Sequence, residues 1–432
     1  MLIIHIALLL GCIMLAARWG GIGVGLAGGI GLAVAVFVLQ IPAGSIPVDV
    51  MMIILSVILA LSVMQQAGGM NYLISLTSKL LKNNPKYINL LAPATTFVLT
   101  ILSGTGYTAM SVLNVIQEVA KENGVRPSQP LSSAVVASQL AITASPISAA
   151  TAVMYATVEP MGVSFGSALL VIIPSAFVAM LIAAFVASKQ GLRLADDPIY
   201  QDRESKGLVS HNIVNEYDIS ASAKHSVAFF LLGVLFIVCM LLFKSVINHT
   251  IATRDLIIIT MMVVSVAIAF GCKVDLKSIK EAPIFKSGAE SLVVVLGIVW
   301  LSSTIIGVHI PEIKDAAAEI LKEHPALLAV VFFFTSSVLF SQGATSALLM
   351  PIAASIGVSP EAILASFVAV SALYITNIYP TTAFAIASDD TGSFLSSKWN
   401  GSKIVNHPFF LPGCLSIVGA VPFGFMLAKI VL

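Results

Sequence analysis

Hydroxyl and amide side chains cluster at four breaks in an otherwise apolar chain. Two clusters surround glycines: Ser103, Gly104, Thr105 and Gly106, and Ser341, Gln342 and Gly343. Two surround a proline: Thr143, Ser145, Pro146 and Ser148, and Thr376, Asn377, Tyr379, Pro380, Thr381 and Thr382. A single Ser or Thr in an apolar helix usually bonds back to its own carbonyls, but irregular backbone at membrane depth is tolerated only when it lines a cavity or is buried in protein. We therefore predict one substrate-binding site built from these residues.

Breaks of this kind can bind an anion without a basic side chain. Helix N-termini at the breaks present unpaired N–H groups and about half a positive charge each, which suits a carboxylate. Hydroxyls and amides supply further donors, and backbone carbonyls at the same breaks leave a coupling Na⁺ open as an alternative. Neither Na⁺ nor H⁺ coupling is decided by the residues.

Charged side chains are nearly absent from the apolar runs. Glu118, Arg126 and Glu290 lie near segment ends, where we expect solvated, interfacial positions. The four cysteines and seven histidines show no ligand spacing, which predicts no metal site and no cofactor. A membrane enzyme such as an intramembrane protease needs catalytic Asp, Ser/His or a metal within the spans, and no such constellation is visible. The sequence thus predicts a protein that is not an enzyme.

The composition identifies the class of protein in which these breaks must be positioned. Of 432 residues, 58% are hydrophobic and 10% are charged, whereas soluble domains are about 45–50% apolar and about 25% charged. The formal net charge of +1 provides no basic field, which excludes nucleic acid as a partner. We predict an all-α polytopic membrane protein surrounded by lipid, and a homo-oligomer stays possible.

Apolar windows indicate about ten transmembrane helices plus two re-entrant hairpins. Uninterrupted spans are predicted at about 1–17, 20–39, 48–66, 165–187, 226–246, 254–272, 287–308 and 409–431. Proline-broken spans are predicted at 131–157 and 360–388, and the 15-residue runs Ile88 to Leu102 and Ala326 to Phe340 each begin a hairpin. The glycines between Gly20 and Gly31 lie inside an apolar run, so they predict close helix packing rather than a nucleotide-binding loop.

The two halves of the chain repeat the same order of signals. "LLKNNP" (Leu80 to Pro85) and "ILKEHP" (Ile320 to Pro325) each precede a hairpin, and Gly124 and Pro127 match Gly357 and Pro360. We predict a first repeat over 1–188, a cytoplasmic linker over 189–225 and a second repeat over 226–432. Five crossings in each repeat invert the second copy, and inverted repeats with paired broken helices are typical of secondary transporters. An elevator-like motion of the hairpins and broken helices follows by fold analogy.

The basic residues test this layout. With the N-terminus outside, only five of the 22 Lys and Arg residues fall on the outer side: Lys244, Arg254, Lys314, Lys322 and Lys429. Such sorting agrees with the excess of Lys and Arg in cytoplasmic loops. Both termini are therefore predicted to be periplasmic.

At these same places the sequence resembles the anaerobic C4-dicarboxylate transporter (Dcu) family, A/B branch. The matching strings are "ARWGGIG" (Ala17 to Gly23), "NPKYI" (Asn84 to Ile88), "GTG" (Gly104 to Gly106), "QLAITASPISAA" (Gln139 to Ala150), "DDPIY" (Asp196 to Tyr200), "YPT" (Tyr379 to Thr381), "DDTG" (Asp389 to Gly392) and "NHPFFLPG" (Asn406 to Gly413). The chain departs from the family pattern at Asn114 and at Thr376-Asn377-Ile378, where prolines are usual.

The resemblance implies a transporter of fumarate, malate, succinate and aspartate in the inner membrane of a bacterium that respires fumarate anaerobically. Antiport of an incoming dicarboxylate for succinate is expected, because exchange of equal charges needs no embedded proton relay. The alternative is a sodium-coupled carboxylate or amino-acid symporter.

Overall fold

The structure, a computed structural model, describes residues 2–19, 22–46, 48–210, 219–247, 250–377, 379–395 and 407–432. Regular secondary structure in these ranges is helical, as predicted. The first half contains α1 (Leu2–Trp19), α2 (Ile22–Ala33), α3 (Val48–Gln66), α4 (Gly69–Asn83), α5 (Ile88–Ser103), α6 (Tyr107–Glu122), α7 (Ser128–Ala144), α8 (Ala149–Val158), α9 (Phe165–Ser188) and α10 (Pro198–Ser205). The second half contains α11 (Ala221–Leu242), α12 (Lys244–Ile247), α13 (Thr253–Gly271), α14 (Pro283–Val294), α15 (Trp300–Glu323), α16 (Leu327–Leu339), α17 (Gln342–Ser355), α18 (Pro360–Ser366), α19 (Pro380–Ser388) and α20 (Phe410–Val431).

Among the described residues, eight helices are long and apolar enough to cross a membrane. They are Val48–Gln66, Pro85–Ser103, Ser128–Met161, Phe165–Ser188, Ala221–Leu242, Thr253–Gly271, Pro283–His309 and Phe410–Val431. All but Pro85–Ser103 coincide with predicted crossings. The other three predicted crossings contain shorter apolar helices, Ile3–Ala16, Ile22–Val38 and Pro360–Tyr374.

The run Ile88 to Leu102 was predicted as a 15-residue hairpin arm, and α5 covers Ile88–Ser103, one residue more. A 3₁₀ turn at Pro85–Tyr87 runs directly into α5, and the resulting 19 residues extend about 28 Å at 1.5 Å each. The chain nevertheless reverses after Ser103, because Gly104 adopts a left-handed conformation with φ 71° that glycine accepts without steric cost. The helical hairpin is present, and its re-entrant placement stays a prediction.

The other predicted breaks also interrupt helices in the structure. α16 ends at Leu339, and α17 begins at Gln342 with Ser341 as its N-cap. α7 ends at Ala144, and the Ser145–Ser148 turn leads into α8. In the second half, α18 continues into a 3₁₀ helix, Phe367–Tyr374, and α19 starts at Pro380. Both halves therefore share one order: a hairpin, a broken helix and a long final helix.

The hairpins and broken helices of both halves pack into one unit, which we call the central body: α5–α9, α16–α20 and the 3₁₀ helix Phe367–Tyr374. α7 lies at its centre, with side chains buried along nearly its whole length, and it contacts α5, α9 and the 3₁₀ helix. α9 packs along α20, and α8 packs against α17. The body is thus assembled from residues far apart in sequence.

The remaining long helices, α1–α4, α11 and α13–α15, are called the flanking helices. α3 packs on α13 and α14, and α2 packs on a π-helical turn at Val295–Val299. The glycines of α2 allow close helix packing, as predicted, because a Cβ added to Gly28 would lie 2.2 Å from the Ile298 backbone nitrogen. Only glycine allows this helix approach.

The start of the predicted linker is folded against the central body. Leu194, Asp197 and Val209 are buried, and α10 lies between them. The predicted linker is therefore not solvated along its whole length. The linker boundaries and its cytoplasmic location stay predictions.

Candidate functional site

A cavity of about 150 Å³ lies between the central body and the flanking helices. All four predicted polar clusters reach the region of this cavity, but only some of their residues line it. The predicted residues in its wall are Gly104, Thr105, Gly106, Ser341, Gln342, Gly343, Tyr379 and Pro380. The segments predicted from the sequence therefore meet at this cavity, and tertiary packing determines which of their residues line it.

Four helix N-termini meet at the cavity. Tyr107 begins α6, Ala149 begins α8, Gln342 begins α17 and Pro380 begins α19, and each of these residues lines the cavity wall. The first N–H groups of a helix have no partner within the helix, so each end can donate to an anion and adds about half a positive charge. Side-chain capping is partial: the Ser341 hydroxyl accepts from the Ala344 N–H at 3.3 Å.

Close packing between the first turns of α8 and α17 depends on Gly343. A Cβ at this position would lie 3.1 Å from Val50 Cγ1 of α3 and 3.3 Å from Ala149 Cβ of α8. The missing side chain lets backbone N–H groups face the cavity directly. Phe340, in the same wall, holds φ at 50°, a strained value for a bulky residue.

The opposite wall is supplied by the flanking helices and is mainly apolar. α3 contributes Ile53, Ile54, Val57 and Ile58, and α14 contributes Val294 together with two polar residues, Glu290 and Ser291. Tyr107 of α6 links the two walls, because its hydroxyl lies 2.6 Å from Ser291 Oγ, and it also interacts with the Tyr379 hydroxyl. Apolar walls reduce dielectric screening and strengthen the field of the helix ends.

Several predicted residues use their hydroxyls within the body instead of lining the cavity. Thr143 donates to Leu140 O of its own helix at 2.7 Å, and Ser148 caps α8 by accepting from the Thr151 N–H at 3.1 Å. Ser145 donates to Ile101 O at 2.6 Å and thereby fastens the α7–α8 break to the hairpin. Ser103 lies 2.8 Å from Thr108 Oγ1 inside the α5–α6 turn. Buried Pro146 completes the break between α7 and α8.

The break before α19 behaves in the same way. Thr382 donates to Tyr379 O at 2.7 Å and to Thr376 O at 3.3 Å, so it closes the loop that precedes α19. Thr376 and Asn377 belong to that loop, are partly exposed and do not line the cavity. Thr376, Asn377 and Thr382 therefore support the start of α19 without lining the cavity.

Gln139 of α7 is a residue of the site region that the sequence analysis did not select. Its side-chain amide donates to Thr381 Oγ1 at 3.1 Å, and its main-chain oxygen accepts from Gln342 Nε2 at 2.7 Å. It therefore joins a broken helix of the first half to α19 and α17 of the second. Its position at the start of the "QLAITASPISAA" string was the available signal.

Glu290, Arg126 and Glu118 were predicted to be solvated at segment ends, and the structure corrects this for Arg126, whereas Glu290 and Glu118 are partly exposed. Glu290 lines the cavity. Arg126 is 3% exposed and pairs with buried Asp197 of the linker, while it also donates to Ser393 O at 2.5 Å. Glu118 pairs with buried Lys121 at 3.2 Å. Local hydropathy could not show these partners, because they come from distant parts of the chain.

Lys121 and Asp390 form the centre of a second polar cluster, at the end of α6 away from the cavity. Lys121 Nζ lies 3.2 Å from Asp390 Oδ2, and the Ser210 N–H and hydroxyl donate to the same carboxylate at 2.8 and 2.7 Å. Burial opposes ionisation of Asp390, but the hydrogen bonds from Ser210 and the interaction with Lys121 outweigh it and lower the pKa of Asp390. This cluster fastens the linker to the body.

Comparison with known proteins gives matches along the whole chain. The family described as "Anaerobic c4-dicarboxylate membrane transporter" matches residues 1–432. The chain is 44% identical over 437 residues to C4-dicarboxylate transporter DcuA of Wolinella succinogenes, with 100% of both sequences covered. It is 32% identical over 440 residues to anaerobic C4-dicarboxylate transporter DcuB of Escherichia coli O6:H1, with 98% of each covered. Among solved structures, the YdaH transporter of Alcanivorax borkumensis is similar at 16% identity and a TM-score of 0.47, covering 87% of this chain and 84% of that one.

Proposed function

Because the chain belongs to the anaerobic C4-dicarboxylate membrane transporter family, we propose that its cavity binds fumarate, malate, succinate and aspartate and exchanges them across the bacterial inner membrane. Antiport of an incoming dicarboxylate for outgoing succinate is the proposed mode. The observation that supports this most is the meeting of four helix N-termini at one cavity.

The charge at these helix ends matches the substrate. At about half a positive charge each, four ends offset about two negative charges, which is the charge of a C4-dicarboxylate. α8 packs against α17 and α6 packs against α19, so each carboxylate can receive donors from a different pair of helix ends. Neutral donors without a Lys or Arg support modest affinity, on the order of micromolar to millimolar, and allow release.

The cavity size also fits a small dicarboxylate. Its volume of about 150 Å³ is comparable to an engineered cavity of about 150 Å³ that binds benzene. A four-carbon chain with two carboxylates is somewhat larger than benzene, so binding requires close contact with the walls. Longer dicarboxylates would require the walls to separate.

Alternating access follows from the position of the cavity between the central body and the flanking helices. An elevator-like motion would move the body, with its four helix ends and the bound substrate, along the apolar wall of α3. Among the described residues, the Tyr107–Ser291 hydrogen bond crosses this surface and must break and re-form. If the central body moves more readily with substrate bound than without it, the protein exchanges one substrate for another.

Counterflow in proteoliposomes tests the function. Vesicles loaded with succinate should take up labelled fumarate faster than empty vesicles, in the presence or absence of Na⁺. Equal uptake by loaded and empty vesicles would refute exchange, and uptake that requires Na⁺ would favour the symport alternative.

A matched pair of glycine variants connects the activity to the cavity. Gly343 and Gly166 each occupy the second position of a helix. Gly343→Val fills the space between α3 and α8, whereas a Cβ at Gly166 makes an ordinary contact, 3.4 Å from Leu242. We expect Gly343→Val to lower counterflow at least tenfold and Gly166→Val to retain it. Wild-type counterflow in both would mean that the substrate binds elsewhere.

A further inference from the structure

Glu290 is a negatively charged side chain in a cavity proposed to bind dianions. It lies in α14, within the membrane-crossing segment Pro283–His309, and lines the same cavity as the helix ends of the central body. Among the described residues that line the cavity, it is the only one with a charged side chain. The structure shows no hydrogen bond or ion pair from its carboxylate to any described residue, and Tyr107 is its electrostatic neighbour.

The charges in the cavity do not balance when a plain dianion is bound. Four helix ends offset about two negative charges, and these are matched by the two substrate carboxylates. Glu290, which is partly exposed, then adds a third negative charge next to the apolar wall. A bound molecule with two carboxylates and one cationic group would restore the balance.

We propose that the Glu290 carboxylate binds the ammonium group of an amino dicarboxylate and so determines the preference of the transporter for aspartate over dicarboxylates without an amino group. This inference rests on the proposed function, and it assigns substrate selection to a flanking helix. The central body binds the two carboxylates that all substrates share. Glu290, on the other wall, recognises the substituent that differs between them.

The position of Glu290 gives this arrangement a geometric basis. The substrate carboxylates must lie near the helix ends of α6, α8, α17 and α19, so the middle of the substrate chain faces α14. The ammonium of an amino dicarboxylate projects from that middle part. Tyr107 and Ser291, next to Glu290, provide hydroxyls for the remaining N–H donors.

The competing explanation is that a proton or an inorganic cation neutralises Glu290 during every transport cycle. In that case, removal of its charge changes transport of all substrates alike. Aspartate and malate separate the two explanations, because they have similar size and differ in an ammonium in place of a hydroxyl group.

The experiment measures uptake of labelled aspartate and labelled malate into succinate-loaded proteoliposomes at subsaturating concentration. For Glu290→Gln we expect the aspartate-to-malate uptake ratio to fall about ten- to a hundredfold, which corresponds to loss of one charge-assisted hydrogen bond. Malate uptake should fall much less than aspartate uptake, or rise. Glu281→Gln is the control, since Glu281 is exposed and outside the cavity, and its ratio should equal that of the wild type.

Two results would overturn the assignment: an unchanged ratio in Glu290→Gln, or equal loss of aspartate and malate uptake in correctly inserted protein. If the Gln variant does not fold, Glu290→Asp provides the measurement, because it retracts the carboxylate by one methylene and keeps the charge. An intermediate fall in its ratio supports the assignment, and an unchanged ratio contradicts it. Failure of the proposed function would look different, since the wild type itself would then transport neither substrate.

Discussion

At the scale of single residues, the hydroxyl groups in the broken helices divide into two kinds. Some, such as Thr143 and Ser145, satisfy backbone carbonyls of the body. Others, such as Thr105 and Ser341, lie at the cavity wall. Sequence spacing located both kinds but could not separate them, because the direction of a side chain at a break depends on packing between the halves. Glu290 was missed for the same reason: its neighbour Tyr107 is far away in the sequence.

Gly104 permits a prediction at this scale, with Gly124 as its control. Both glycines adopt positive φ, 71° and 67°, so Ala at either position costs about 1–2 kcal/mol in backbone conformation. A Cβ at Gly104 would also lie 3.0 Å from Ile147 Cγ1, whereas Gly124 has open space. We expect Gly104→Ala to lower counterflow severalfold.

Gly124→Ala should lose some thermal stability in detergent and retain transport once the amount of folded protein is taken into account. Equal transport by the two alanine variants would show that the packing of the α5–α6 turn on the α7–α8 break is unimportant for the cycle.

At the scale of elements, the predictions succeeded where proline or glycine interrupts an apolar run. Pro380 and Gly104 each mark a helix boundary in the structure, since proline cannot continue an incoming helix and glycine accepts a left-handed turn. The docking of the linker was not predicted. It depends on contacts between segments distant in sequence, such as Arg126 with Asp197, which hydrophobic periodicity does not contain.

The second polar cluster, formed by Lys121, Asp390 and Ser210, gives a prediction about the accessibility of the linker to proteases. Asp390→Asn removes the negative charge that holds Lys121 and weakens the contacts to Ser210, so the linker should open more often. Because proteolysis follows the population of the open form, we expect trypsin to cleave after Lys206 about tenfold faster. Asp202→Asn is the control, since Asp202 and Lys206 form an exposed pair of little energetic value.

The same cluster has a defined pH dependence. The folded-state pKa of Asp390 is lowered, so its contribution to docking is complete above the ordinary pKa of about 3.9 and is lost as pH falls through the lower folded-state value. Cleavage by a protease active in acid should therefore stay slow at pH 5 in the wild type. Rapid cleavage of the linker already at pH 5 would contradict this assignment.

At the scale of the whole molecule, the central body combines both halves, and the flanking helices pack against it. The repeat order in the sequence predicted the matching hairpins and broken helices. It did not predict that the final helices α9 and α20 pack along each other, because an internal repeat specifies equivalent elements and not the contacts between copies. The orientation of the molecule in the membrane stays a prediction from the basic residues.

Labelling of single cysteines tests that orientation. In a variant without Cys12, Cys239, Cys272 and Cys414, Lys206→Cys should react with a membrane-impermeant maleimide only after the cells are opened. Arg254→Cys, which replaces another partly exposed basic residue, should react in intact cells. Reaction of Lys206→Cys from outside would invalidate the inverted arrangement.

Gln139 has a consequence for how the protein is made. Its hydrogen-bond partner Thr381 is 242 residues later in the chain, and at about 5–20 residues per second a ribosome needs roughly ten to fifty seconds to synthesise that interval. During this time α7 lies in the membrane without the second-half helices that bury it in the folded protein. Nascent chains truncated before α17 would expose this amide to lipid and become targets for membrane proteases. Resistance to these proteases should therefore begin only when the last helices have been synthesised.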